Sequence, residues 1–190
     1  MFGPRYVTPP VGSPVGRVAP VAWDRVSTAE EVLPLSLAAF NAAPADEAVL
    51  AMLACCGSRR FAQAMAAGRP YPSADAAVAA VDTVFESLSW SDVLEAMDRH
   101  PRIGARAGGQ SAAEQSGVAD ATREALAVGN AEYEDRFGHV FLICATGLTG
   151  DQMLGALRER LKNNADIERT VAATELRMIT RLRVAKALAS

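Results

Sequence analysis

Val140-Phe141-Leu142-Ile143-Cys144-Ala145 decides the fold class of this chain. The run is short, apolar and partly β-branched, which suits a buried strand or a buried extended segment. A single strand has no sheet to join. We therefore read 140–145 as a buried connector. Its backbone N–H and C=O groups need partners, which a bound ligand can supply.

Working outward from the connector, helical periodicity runs from Val118 to Phe137, with Gly138 in the C-cap position and His139 just after it. Downstream, Thr149-Gly150-Asp151-Gln152 is a capping box that opens a helix through Met153, Leu154, Leu157 and Leu161 to Asn163-Asn164. The last helix starts near Asp166 and runs almost to Ser190. Along it Ala172, Leu176, Ile179, Arg183 and Ala187 recur three to four apart, so they share one face. That spacing sets Arg183 in an apolar stripe. A buried unpaired charge is costly, so Arg183 needs a carboxylate or several carbonyls, and Glu114 or an anionic substrate would serve. The alternative is that it snorkels at the stripe's edge beside Arg177 and Arg181.

Towards the N-terminus, His100-Pro101-Arg102-Ile103-Gly104 carries one of two histidines in the chain. A helix holding Val93, Leu94 and Met97, capped by Ser89 or Ser91, runs into His100 and stops, because Pro101 disfavours the α conformation before it and lacks an N–H. Carbonyls exposed at a helix C-terminus favour a protonated imidazole, which suits His100 to proton transfer near neutral pH. Ser111-Ala112-Ala113-Glu114 then reads as a second capping box. In that reading Glu114 is structural. A helix N-terminus is also an anion site, so the loop from His100 to Ser111–Gln115 can equally bring acid, base and amide donors together.

Earlier still, Ser73 caps an alanine-rich helix with Val78, Val81, Val84, Phe85 and Leu88, Arg69-Pro70-Tyr71-Pro72 is a break, and helices span Ser58 to Gly68 and Asp46 to Cys56. Ser27-Thr28-Ala29-Glu30 offers a box for a first helix, whose first turn is disturbed by Pro34. Residues 1–25, rich in Pro, Gly and Val without helical periodicity, read as an extended or disordered leader. The domain expected is 26–190, a single bundle of about eight to nine helices.

Composition narrows the function. A net charge of -3 with interspersed signs leaves no basic footprint for nucleic acid or anionic membrane. No apolar run approaches the roughly 20 residues that span a bilayer, and the proline-broken N-terminus lacks the apolar core of a secretory signal. These features point to a cytoplasmic protein. Cys55-Cys56 and Cys144 form no disulfide framework and read as free thiols. Gly108-Gly109 lacks a phosphate-loop context, and His100 with His139 lacks metal-ligand spacing, so neither a nucleotide cofactor nor a metal is expected.

Several ordered motifs carry a resemblance. HPRIG at 100–104, SAAEQSGV at 111–118, NAEYEDRFGHVFLICATG at 130–147, LRERLKN at 157–163 and ELRMITRLR at 175–183 resemble the 2-oxo-4-hydroxy-4-carboxy-5-ureidoimidazoline (OHCU) decarboxylases of urate degradation. Cys55-Cys56-Gly57-Ser58-Arg59 and Arg69-Pro70-Tyr71 fit as well, whereas Phe61 stands where the family has Trp. The resemblance implies an all-α homodimer that converts OHCU to (S)-allantoin and CO2 without metal or organic cofactor. It implies His100 as proton donor, with Glu114 beside it. Substrate contacts would come from Pro101, from Ser111, Ala112, Ala113, Glu114 and Gln115, from Phe141, Leu142, Ile143, Cys144 and Ala145, and from Arg183.

Two other classes compete. A hydrolase of purine or ureide metabolism could use the same His/Glu pair, and is distinguished by adding water to allantoin instead of releasing CO2 from OHCU. A helical ligand-binding module without chemistry has little use for His100, Glu114 and Arg183 together at core-facing ends.

Overall fold

The computed structural model describes residues 35–100, 102–103 and 120–189. Among them the secondary structure is eight helices without a strand: α1 (Leu37–Ala42), α2 (Ala45–Cys56), α3 (Arg59–Ala67), α4 (Ala74–Glu86), α5 (Trp90–Met97), α6 (Asp120–Phe137), α7 (Gly150–Arg160) and α8 (Ala165–Leu188). The all-α reading holds. The leader, the Ser27 box, Pro101 and the whole Ser111–Gln115 segment with its box lie outside the described residues.

Helix starts follow local polar chemistry. Ser58, Ser73 and Asn164 accept from the N–H three residues on, and Ser89 with Asp92 and Thr149 with Gln152 close reciprocal capping boxes. Two ends differ from expectation. The first described helix is capped by Ser36, after Pro34, and so begins at Leu37. α5 ends at Met97, and His100 is reached through a turn in which Arg99 N donates to Ala96 O and His100 N to Met97 O (3.2 and 2.9 Å). The restriction that a proline places on the residue before it is absorbed by this turn, and the helix stops a few residues early.

Among the described residues the packing divides into two cores. In the larger, α8 lies against α2, α4 and α5, burying Met52, Phe61, Val81, Met97, Leu176 and Val184 among others. The smaller lies between α6 and α7 and holds Leu126, Tyr133, Met153 and Leu157. The connector runs between the two. Val140, Leu142 and Cys144 pack on the large core, while Phe141, Ile143 and Ala145 fill the small one. An extended backbone points successive side chains to opposite sides, so six apolar residues in a row serve two cores without any sheet.

Two cysteines sit inside this packing. Cys55 and Cys56 on α2 are buried free thiols, and desolvation pushes them up to about 12 and about 11, so they pack as small neutral groups. No helix of the described residues is long and apolar enough to cross a membrane.

Candidate active site

His100 and Arg183 meet. Arg183 sits in the buried face of α8 with Ala172, Leu176, Ile179 and Ala187, as the stripe predicted, and is 7 % exposed. The edge-snorkelling alternative belongs to its neighbours, since Arg177 and Arg181 reach out to Asp82. Arg183 Nη1 lies 3.0 Å from His100 Nε2, and His100 Nδ1 lies 2.8 Å from Ala96 O. A carbonyl only accepts and a guanidinium only donates. The hydrogen-bond network therefore assigns the proton to Nδ1, leaving Nε2 as acceptor from Arg183.

That geometry corrects the charge state inferred from position alone. Burial, and then the Arg183 cation, push His100 down from 6.5 to about 4, against the pull of the Ala96 carbonyl. The carbonyl at the helix end acts in the expected direction but is outweighed, because desolvation and a facing positive charge both disfavour imidazolium. His100 is neutral at pH 7. The ground beneath it is tight: Gly57, at φ +89°, ends α2 against α5, and a Cβ there would lie 3.2 Å from Ala96 O. Only glycine suits both the left-handed backbone and the approach.

The connector is held by its backbone. Arg160 Nη1 donates to Leu142 O (2.6 Å), and Cys144 N donates to Glu175 Oε2 (2.8 Å). Two of the groups left open for a ligand are thus taken by side chains. Phe141, Leu142, Ile143 and Ala145 are buried with their side chains in the cores. Any contact they make with a small molecule falls to the backbone.

Arg160 belongs to a buried polar cluster that sequence reasoning missed. Its Nε and Nη2 donate to Glu168 Oε1 (2.8 and 2.6 Å), its Nη2 to the Tyr133 hydroxyl (3.2 Å), and its guanidinium stacks 4.7 Å from the Phe141 ring centre. Tyr133 donates to Glu168 Oε1 and Asn163 Nδ2 to Glu168 Oε2, completing the carboxylate's partners. Burial and the neighbouring carboxylate drive the Tyr133 hydroxyl up, so it stays protonated as a donor. The signal was available: Glu168 is four residues before Ala172 on the same stripe as Arg183, and Arg160 follows Met153 and Leu157 at helical spacing. A charge in an apolar stripe implies a buried partner, and here the two charges are each other's.

His139 lies among Trp90, Tyr133 and Phe137, its Nδ1 on Val140 O (3.2 Å), and burial lowers its proton affinity. It is a packed aromatic in the core. Asn130 Nδ2 donates to Ile103 O (2.7 Å), tying the segment after His100 to α6. Among the described residues no cluster of His, Cys, Asp or Glu could hold a metal ion.

The chain is 40% identical over 148 residues to the uric acid degradation bifunctional protein TTL of Arabidopsis thaliana, covering 70% of this chain and 44% of that protein. It is 42% identical over 55 residues to the 2-oxo-4-hydroxy-4-carboxy-5-ureidoimidazoline decarboxylase of Amia calva, covering 29% and 31% respectively. The chain thus spans less than half the length of these curated relatives. A crystal structure of OHCU decarboxylase in the presence of (S)-allantoin superposes with TM-score 0.66 at 35% identity, covering 73% of this chain and 96% of that one. A structure of (S)-allantoin synthase, at 19% identity and TM-score 0.62, covering 80% and 54%, shares the fold. The family model described as OHCU decarboxylase matches residues 41–185, and the chain belongs to that family.

Proposed function

We propose that this protein decarboxylates OHCU to (S)-allantoin and CO2, with His100 and Arg183 at the reacting end of the substrate. One observation carries the reading: a buried guanidinium donates to a buried, neutral imidazole whose other nitrogen is fixed on a carbonyl. That pair is a receptor for a carboxylate. A carboxylate docking beside the pair places a negative charge against His100, which favours its imidazolium form.

The chemistry needs little else. As the C4–carboxylate bond breaks, its electron pair forms a C4=C5 double bond and the C5 imine pair moves onto the imine nitrogen, which takes up a proton. CO2 departs, and C5 of the resulting enol is then protonated on one face. The C4 hydroxyl then loses its proton to become the carbonyl of allantoin. The substrate supplies its own electron sink, so no organic cofactor or metal is called for. His100 delivers the proton as a general acid once the bound carboxylate has charged it. Arg183 holds the ring carbonyl oxygens, Glu114 and Gln115 take the ureido and ring N–H groups, and Pro101, Ser111, Ala112 and Ala113 serve as further substrate contacts. The backbone of Phe141–Ala145 makes the remaining contacts.

The same reading has the protein work as a cytoplasmic homodimer on a small molecule, with neither nucleic acid nor membrane as partner. It places the activity in residues 26–190, with the leader dispensable: deletion of 1–25 leaves the turnover rate unchanged. The decisive experiment generates OHCU from urate enzymatically and follows its decay and the optical activity of the product with and without the protein. Faster decay giving (S)-allantoin supports the proposal. Decay at the spontaneous rate to racemic product overturns it.

A further inference from the structure

Glu175 has no part in the chemistry above, yet its carboxylate holds a backbone group of the connector. The connector has no helix or sheet to order its main chain, and its side chains divide between two cores, so its backbone register rests on hydrogen bonds from side chains on either side. From the α8 side, the Cys144 N–H donates to Glu175 Oε2 at 2.8 Å. A carboxylate accepting a backbone N–H is stronger than a neutral acceptor. Glu175, Ile179 and Arg183 follow one another at four-residue spacing on α8, so Glu175 and Arg183 share a face about 12 Å apart along one rigid helix. The same element therefore carries the cation that meets His100 and the anchor of the strip.

We propose that Glu175 is a positioning residue for the decarboxylation: by clamping the Cys144 peptide N–H it sets the backbone of Phe141–Ala145 at a fixed distance from Arg183, so that both ends of the substrate are gripped in register. The inference rests on the reading of the connector as a substrate contact. Arg160 secures the Leu142 carbonyl from the other side, but it is bound into the Glu168 cluster, where substitution acts first on folding. Glu175 is half-buried and allows a cleaner test.

The test compares full-length wild type, Glu175→Gln and Glu175→Ala. Gln keeps an acceptor oxygen at the same reach, whereas Ala removes it. Loss of the clamp lowers kcat/KM for OHCU by roughly 10- to 100-fold in Glu175→Ala, the scale of a misplacement of about 1 Å. Glu175→Gln stays within about threefold of wild type, although it loses the same charge. Hydrogen exchange at the Cys144 amide accelerates in Glu175→Ala and remains slow in Glu175→Gln. A purely structural role would move the melting temperature without this split in kinetics. Wild-type kcat/KM in folded Glu175→Ala, or equal losses in both variants, overturns the proposal. A wild-type protein inert on OHCU removes the decarboxylase reading instead. The anchor is then judged on the Cys144 amide alone, and unchanged exchange in Glu175→Ala sinks it.

Discussion

Arg160 and Arg183 are each 7 % exposed and each rises from the apolar face of a helix, yet they sit in opposite chemistry. Arg160 donates to the Glu168 carboxylate, the Tyr133 hydroxyl and the Leu142 carbonyl, and its charge is neutralised within the small core's edge. Arg183 donates to an imidazole that is itself neutral. Burial does not distinguish the two; the partner does. A cation against a carboxylate locks a structure, whereas a cation against a titratable base disfavours that base's charged form.

The comparison breaks most sharply at Arg160. Arg160→Met leaves Glu168 buried without its counter-charge and costs about 3–5 kcal/mol of stability, read as a lowered denaturant midpoint. A midpoint within a few tenths of a molar of wild type would show that the cluster is not a paired structural unit.

The next effect is on catalysis. His100→Asn keeps a polar side chain beside Ala96 but cannot deliver a proton at neutral pH, so OHCU turnover slows by roughly 10²-fold or more while the fold survives. Wild-type turnover in this variant would move the proton donor elsewhere and leave Arg183 as a structural cation.

Arg183→Ala sharpens the contrast from the other side. It raises KM for OHCU by roughly 10-fold or more, the loss expected for a charged hydrogen bond, and it removes the cation that depresses His100. The His100 ring, followed by NMR, then titrates closer to its ordinary 6.5 than in wild type. An unchanged titration would mean that burial alone keeps it neutral.

The smallest effect is a pH dependence of stability. His100 is held down to about 4 in the folded state and lies near 6.5 unfolded, so between those values the unfolded chain binds more protons. Its contribution is fully present above pH 6.5 and is lost as pH falls towards 4, by up to about 1.4 kcal/mol per unit. Urea unfolding at pH 7 and pH 5 shows a larger drop for wild type than for His100→Asn. Equal drops would place the titration in other groups.

The helical architecture and the burial of Arg183 were legible in the sequence. Helix starts at Ser58, Ser73, Ser89 and Thr149 depend on bonds spanning three residues, and the burial of Arg183 depends on the repeat of one helix. Both are short-range properties, so one segment contains all the information. Applied to Glu168 and Arg160 as strictly as to Arg183, the stripe rule would have exposed the buried ion pair as well.

What only the tertiary structure decided concerns partners far apart in the chain. The sequence read alone makes His100 a helix-end base ready for a proton. The fold makes it neutral, because Arg183 arrives from 83 residues away and the surrounding core excludes water. The connector's apolar run announced that it would be buried. That its alternate side chains serve two cores, and that Arg160 and Glu175 take its carbonyl and amide, required the packing of α6, α7 and α8 around it. Local hydrogen bonds and helical repeats are written in the order of residues, whereas charge state and backbone anchoring depend on dielectric and distance, which exist only once the chain has folded.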